Sequence, residues 1–581
     1  DAITGRWKAK AYSGTHGTNG FYLKFADNSG TTSTTLGKDS SGNGNNWTPN
    51  NFSVTAGAGN DSLVDSPTNY GTDTGLGGEV RGNYATLNPI AGGGSTLIDG
   101  NLKPNTDGIG ISTIGMSYGK WYAEMTVTAV GTFSDFGIHT GNTFLTYVGS
   151  TTTGYSYQSD GKKYNNATGA AYGSTYTSGD VIGCAFDADN GTIAFYKNGV
   201  SQGTAFTGLT SVPYFFAIYG RNSATANNVY INFGQRSFSY TAPSGFKALC
   251  TQNISKPTIQ KPSKYMDALA YTGTGASNSI SSLGFSPDLV WIKNRGTTTS
   301  HAIYDTTRGA QSQLSSDTTG DQVTSSSGLT SFDSNGFTIG TSTLVNTSGT
   351  QYVAWGWDES AKSGLDIVSY TGNGANRTIS HNLGVAPKMI IVKARTTAGA
   401  DQGWPVYHSS LANTEYVLME STAAKSTGAD YWNSTSPTSS VFSLGTNSAV
   451  NANNDTYIAY VFSEIDGFSK FGSYVGNNLT DGPFAWCGFR PKYILIKNST
   501  NTGAPWLVYD SVRSSYNAQE AEIRPNTNQS ENGFTLVGSL DFLSNGFKIR
   551  EDNNTSWLNT PSATFIFAAF AEAPFKYARA R

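Results

Sequence analysis

Residues 179–199 read GDVIGCAFDADNGTIAFYKNG. Asp180 to Asp187 is a largely apolar run, and Thr192 to Tyr196 is a second, rich in β-branched and aromatic residues. Between them Asp189-Asn190-Gly191 supplies the residue types that turn a chain back at positive φ without strain. The stretch predicts an antiparallel hairpin. Lys120 to Val127 (KWYAEMTV) predicts a strand before it, and Val229 to Phe233 (VYINF) a strand after it. Further upstream Phe21 to Phe25 alternates apolar and polar residues and then meets the turn signal Asp27-Asn28-Ser29-Gly30. The rest of residues 1–105 shows little periodicity and reads as the end of an upstream β domain followed by a long ordered connector.

Composition points the same way. Of 581 residues 68 are Gly, 13% are aromatic and only 13% are charged, the last against about 25% in ordinary soluble domains. Few charges, much Gly and much Tyr describe an all-β protein with tight turns. The net charge of -3 offers no basic excess to neutralise phosphates, which disfavours nucleic-acid binding. Cys184, Cys250 and Cys487 form neither a disulfide framework nor a metal-ligand spacing. No apolar run approaches the ~20 residues needed to span a bilayer. The chain opens on Asp1 rather than Met, so its first residues are uninformative about a secretion signal.

The C-terminal half repeats itself. Tyr271-Thr272-Gly273-Thr274-Gly275-Ala276 recurs as Tyr370-Thr371-Gly372-Asn373-Gly374-Ala375, and more loosely as Tyr474-Val475-Gly476-Asn477-Asn478. Pro287, Pro387 and Pro491 each precede an apolar strand ending in Lys293, Lys393 and Lys497. Ser334-Asn335-Gly336-Phe337 reappears as Ser544-Asn545-Gly546-Phe547, and each unit closes on an aromatic strand. The expected organisation is an upstream remnant and connector (1–105), a first β-sandwich (106–241), a linker (242–264) and three β repeats (265–361, 362–466 and 467–581). The repeats are expected as three beads in a row, each long enough to own a core.

Within the first sandwich, Gly119-Lys120-Trp121-Tyr122-Ala123-Glu124, the 179–199 hairpin and Asn232-Phe233-Gly234-Gln235 with Phe238 resemble the opening, central and closing strands of a SPRY domain. That resemblance covers residues 117–238 and implies a bent, concanavalin-like sandwich that binds partners through loops at one end. The phrases Gly17-Thr18-Asn19-Gly20-Phe21-Tyr22-Leu23, Asn46-Trp47-Thr48-Pro49-Asn50-Asn51-Phe52 and Asp65-Ser66-Pro67-Thr68-Asn69 are similar to those of large tailed-bacteriophage virion proteins. The repeats and the ending Ala573-Pro574-Phe575-Lys576-Tyr577 are similar to the same group. The fold class expected is therefore all-β: tandem antiparallel β-sandwich domains, one SPRY-like, plus three homologous repeats.

No catalytic constellation stands out. Gly115-Met116-Ser117-Tyr118-Gly119 fits the G-x-S-x-G pattern but runs straight into a strand, where a nucleophile elbow needs a strand-to-helix turn. The five histidines are isolated, and Asp187-Ala188-Asp189-Asn190-Gly191 lacks the twelfth-position Glu of a calcium loop. Carboxylate pairs such as Asp358 and Glu359, or Asp401 near Trp404, are not singled out by any pattern. Trp404 and Trp506 occupy matching repeat positions and read as core or interface residues rather than sugar platforms. The loop from Tyr155 to Tyr164 packs tyrosine, amide, carboxylate and ammonium groups into ten residues. Its candidate ligand-binding residues are Tyr155, Tyr157, Asp160, Lys162 and Tyr164, a combination suited to sugars or a polar protein surface. The alternation of Tyr155 and Tyr157 also fits one face of a strand. The expected function is that of a virion fibre or adhesin without enzymatic activity, cofactor or metal. Its expected partners are a host cell-surface glycan or protein and other virion proteins, and fibre analogy implies a homo-oligomer, threefold by the same analogy. A head or neck decoration protein is the second reading, and a surface-polysaccharide depolymerase the third.

Overall fold

The computed structural model describes residues 12–55, 61, 71–90, 96–105, 108–129, 133–141, 146–209, 213–221, 229–396, 402–531, 539–551 and 557–577. The chain divides into two compact units, Asp1–Ser255 and Lys256–Arg581.

In the first unit the sandwich is built, among the described residues, from twelve strands, β1 (Gly108–Ile111), β2 (Lys120–Val127), β3 (Phe133–His139), β4 (Gly154–Gln158), β5 (Lys162–Asn165), β6 (Thr168–Ala171), β7 (Val181–Asp187), β8 (Thr192–Lys197), β9 (Val200–Phe206), β10 (Phe215–Arg221), β11 (Val229–Asn232) and β12 (Lys247–Ala248). One sheet runs β9-β8-β7-β2-β11, with β12 pairing parallel to β2, and the other β1-β10-β3-β4-β5-β6. The hairpin expected from residues 179–199 is β7–β8, with Gly191 at φ 61° in its turn. Phe136, Phe216 and Phe233 pack between the sheets, with ring centroids 6.1 and 6.3 Å apart. The expected strand Phe21 to Phe25 does not form. Only Leu23 pairs, with Asp39, and Phe25 sits at φ 49°, which breaks an extended run. Asp39 organises this segment instead, accepting from the amides of Tyr22, Ser41 and Asn45.

The second unit repeats one topology three times. Each repeat has a sheet ordered first, last, second, third strand. In repeat 1 these are Met266–Thr272, Gln351–Trp357, Leu289–Asn294 and Ala302–Asp305. In repeat 2 they are Leu365–Thr371, Thr456–Phe462, Met389–Thr396 and Pro405–His408, and in repeat 3 Ser469–Val475, Thr564–Pro574, Phe489–Asn498 and Trp506–Asp510. The Ser-Asn-Gly-Phe phrases are hairpin turns, closing Leu329–Asp333 on Gly336–Ile339 and Leu540–Leu543 on Gly546–Ile549.

The recurring Tyr-Thr-Gly phrase folds around a buried asparagine. Asn451 accepts from the Asn373 amide through Oδ1 (3.0 Å) and donates through Nδ2 to the carbonyls of Ala375 (2.7 Å) and Gly445 (2.9 Å). Asn346 and Asn559 make the equivalent bonds to Thr274, Ala276 and Gly340, and to Asn477, Leu479 and Glu551. The leading tyrosine stacks on the last strand in all three, Tyr271 on Tyr352, Tyr370 on Tyr457 and Tyr474 on Phe565.

The repeats are not beads in a row. Repeats 1 and 2 have small cores of their own, but one large core draws on all three. Two sets of matched hydrogen bonds close the ring. At the position just before or at the start of the third strand, His301 Nε2 meets Arg524 O (3.1 Å), Trp404 Nε1 donates to Thr318 O (3.0 Å) and Trp506 Nε1 donates to Leu418 O (2.8 Å). These link repeat 1 to 3, 2 to 1 and 3 to 2. Trp291 Nε1 donates to His301 Nδ1, so His301 Nε2 carries the proton. Four residues on, Asp305 accepts from Tyr460 Oη (2.8 Å), His408 Nε2 meets Phe567 O (3.1 Å) and Asp510 accepts from Trp355 Nε1 (3.0 Å). These bonds run in the reverse sense, 1 to 2, 2 to 3 and 3 to 1.

Buried ion pairs back two of those links. Arg308 lies on Asp305 and Arg513 on Asp510, all four side chains fully buried, whereas repeat 2 has His408 and Leu411 at these places. Where repeats 1 and 2 carry Trp355 and Tyr460, repeat 3 carries Ala568. The difference leaves an apolar cavity of about 40 Å³ lined by Ala568 together with Trp357, Tyr460, Phe462, Tyr493 and Phe570.

Candidate functional site

Strand register assigns the faces of the SPRY-like module. Phe136 pairs with Tyr157 and Ile218, so Tyr157 points into the core. Asp135 pairs with Gln158 and Tyr219, and Ser156 with Tyr164, so these side chains share the opposite face. The loop carrying Tyr147–Ser150 lies over that face: Gly149 is so close that a Cβ there would stand 2.6 Å from Ser156 Oγ. Four rings follow one another across it. Phe133 meets Tyr219 at 5.4 Å and Tyr147 at 5.7 Å, and Tyr147 meets Tyr164 at 6.1 Å. Phe133, Tyr147 and Tyr164 are part-exposed, with Tyr147 touching both of the others.

Beneath the rings Asp135 is fully buried. Its Oδ2 accepts from the Gly149 amide at 3.4 Å, and the Ser156 hydroxyl lies beside the carboxyl. Burial pushes the Asp135 carboxyl up to about 7, against the pull of hydrogen bonds from Ser156 and the loop amides. Tyr164 is pushed up to about 12, first by burial and then by its hydrogen bond to Asp160.

The five residues singled out from sequence separate. Tyr164, Asp160 and Lys162 come together: Tyr164 Oη donates to Asp160 Oδ2 (2.9 Å), and Lys162 Nζ lies 3.2 Å from the same oxygen. For Asp160 burial works upward, but bonds from Lys162 and Tyr164 outweigh it and hold the carboxyl below its usual range. Tyr157 is a correction. It is buried among Tyr172, Tyr176 and Phe195, with its hydroxyl donated to Ser174 O, and cannot meet a ligand. Tyr155 shares that inward face and packs on Phe206 and Tyr214. Two tyrosines two apart on a strand had to lie on one side, and here it is the core side. Asp135, Phe133 and Tyr147 were missed because the loop that joins them is invisible in local pattern. The alternation of Phe133, Asp135 and Gly137 with core residues was the available signal.

The other candidates have structural roles. Ser117 leads into β2 across Gly119, whose amide donates to Asp189. Asp187 pairs with Lys120 and accepts from Asn190, which explains the calcium-like phrase. Trp404 and Trp506 are buried ring-closing donors, so neither is a sugar platform. Glu359 accepts from the Ile367 amide beside Asp288, and burial first, then the neighbouring carboxylates, push it up to about 7. Asp401 and the phrase at 65–69 fall outside the described residues. Among the described residues, no group of three or more His, Cys, Asp or Glu is placed to hold a metal ion.

The model for a domain of unknown function, DUF7483, matches residues 261–574, more than half of the chain. The chain belongs to the DUF7483 family. That region comprises the three-repeat ring, so the family describes the closed unit and not one repeat. A SPRY domain model matches residues 114–236, and the chain carries a SPRY domain. Over this part it is 33% identical to the ATP-dependent RNA helicase Ddx1 of Drosophila melanogaster across 135 residues, 23% of this chain and 18% of that protein. It is 38% identical to the E3 ubiquitin-protein ligase RKP of Arabidopsis thaliana across 97 residues, 16% of this chain and 8% of that protein. The chain thus covers less than a fifth of the length of these relatives. Among solved structures, the SPRY domain of human HERC1 is similar at 19% identity, covering 25% of this chain and 96% of that one with a TM-score of 0.23.

Proposed function

We propose that this chain is a non-enzymatic attachment protein, a virion fibre or adhesin whose SPRY domain binds a glycan or protein on a host cell surface. The observation that carries the reading is the part-exposed row Phe133, Tyr147 and Tyr164, ending on the Asp160–Lys162 pair. Rigid rings beside fixed hydrogen-bonding groups give contact area at low entropic cost. Relatives named as a helicase, a ubiquitin ligase and a kinase are unlike one another and match only over this part. The shared domain therefore brings none of those activities with it. The virion setting rests on the sequence phrases of the connector and on the repeats. In that setting the closed DUF7483 ring acts as a rigid mount, and several copies on one particle raise weak single-site binding to useful avidity.

The test is binding of the labelled full chain to candidate host cells, before and after their surface glycans are stripped. Saturable binding that drops at least tenfold in Tyr147→Ala/Tyr164→Ala supports the proposal. Binding that is unchanged in that variant removes the site from this face. No binding on any plausible host, with many copies at symmetry sites of a particle, assigns the chain to decoration instead.

A further inference from the structure

The last strands of the three repeats are in matching register. Trp355 pairs with Ala268, Tyr460 with Ile367 and Ala568 with Phe471. At the first two positions a large side chain reaches across a seam, Trp355 to Asp510 and Tyr460 to Asp305. Ala568 carries only a methyl group, and beside it lies the cavity of about 40 Å³. Its walls come from all three repeats, Trp357 from the first, Met389 and Met419 from the second, Tyr493 and Phe570 from the third. The rings brace one another edge to face, Trp357 against Tyr493 at 5.5 Å and against Phe570 at 5.8 Å, which props the space open.

The walls also define what can enter. Among the described residues no carboxylate or other polar atom reaches the cavity surface. The Ser316 hydroxyl is donated to Pro525 O and the Tyr460 hydroxyl to Asp305, and the indole N–H of Trp357, which has no partner, does not reach the surface either. Water is held in a protein by several polar partners and would find none here. A cation would be taken out of water without a counter-charge. An apolar guest gives up no hydrogen bond on entry and gains the dispersion contacts that an empty space forfeits. The two methionines are flexible and polarisable, so the wall they form adjusts to the shape of the guest.

We propose that this cavity is a binding site for one small apolar molecule without hydrogen-bonding groups, of the size of xenon or ethane. No single repeat encloses the space, so the site exists only in the closed ring, and a guest stabilises that ring over the opened or unfolded chain by mass action. The site lies in the DUF7483 unit, and its test is separate from that of the attachment face.

The experiment follows the isotope-labelled methionine methyl groups of the full chain by NMR under rising xenon pressure. Of the five methionines Met389 and Met419 line the cavity, whereas Met116, Met125 and Met266 do not. The Met389 and Met419 signals are expected to shift saturably while the other three hold still. Ethane should act in the same way, and ethanol at least tenfold more weakly, because its hydroxyl would be buried without a partner. No shift at Met389 and Met419, or an equal shift at all five, overturns the proposal. An ethanol response as strong as that of ethane overturns it as well, since the site would then accept a hydroxyl. Ala568→Leu, which sends its own side chain into the space, should remove most of the xenon response, and a response of unchanged size places the xenon elsewhere and counts against the proposal. Should Ala568→Leu fold poorly, the methyl shifts of the unaltered protein decide alone.

Discussion

One guanidinium, that of Arg513, holds two of the acids that tie repeat 3 to repeat 1, and removing it should weaken that link. Arg513 donates to Asp510 through Nε, to Glu531 (2.9 Å) and Ala521 O (2.8 Å) through one terminal nitrogen, and to Val508 O (2.9 Å) through the other. Glu531 in turn binds Arg295 of repeat 1, and Asp510 holds Trp355 of repeat 1. Burial works against both ionised groups, yet their mutual charge holds Asp510 below and Arg513 above their usual ranges. Arg513→Leu strands the Asp510 carboxylate in the interior with the indole N–H and two backbone amides as its remaining donors. Breaking a buried pair in this way costs about 3–5 kcal/mol, which at an m-value of about 3 kcal/mol/M moves a urea midpoint down by roughly 1 M or more. The assay is urea unfolding of the full chain followed by tryptophan emission, since eight of the eleven tryptophans lie in this unit. Adding Asp510→Asn keeps the acceptor for Trp355 and removes the charge, so the double variant should recover at least half of the loss. A single variant costing less than about 1 kcal/mol, or a double variant no better than the single, would refute the argument that charge burial sets the cost.

Three further outcomes follow from the same unit. Asn451→Ala leaves the Ala375 and Gly445 carbonyls and the Asn373 amide without their partner, and should destabilise by about 2–4 kcal/mol in thermal unfolding; a loss equal to that of an exposed Asn would show the plug to be incidental. Lys497 is buried with its ammonium on the Ala504 carbonyl, and burial pushes its pKa down to about 7 from 10.5. The unfolded chain therefore binds the extra proton between those values, and stability falls as pH drops from about 10.5 to about 7. Lys497→Met should accordingly stabilise more at pH 6 than at pH 10, and a pH-independent effect would contradict the linkage. Ala568→Val partly fills the 40 Å³ cavity, and at about 24 cal/mol per Å³ should add up to about 1 kcal/mol; a lower melting temperature would show the walls to be rigid and the space unusable.

Much of this protein is readable along the chain. The β7–β8 hairpin and the Lys120–Val127 strand follow from alternation and turn chemistry. These act between residues a few positions apart. The buried character of Trp404 and Trp506 was also legible, because two large aromatics at one repeat position share one environment. Phe21 to Phe25 failed for a local reason, since alternation alone does not supply a partner strand.

What only the tertiary structure decided lies between residues far apart. Trp355 and Asp510 are 155 positions from each other, and nothing in the repeat pattern distinguishes three separate sandwiches from a ring closed by such contacts. Each repeat buries its sheet in either arrangement, so the hydrophobic pattern is the same for both. The same limit hid the candidate site. A strand covered on both faces loses the contrast between inward and outward residues, so Tyr155 and Tyr157 looked like contact residues and nothing in the sequence drew notice to Asp135. It took the Tyr147–Ser150 loop lying across the sheet to bury that carboxyl, and the energy of a buried charge depends on what surrounds it in space rather than on its neighbours in sequence.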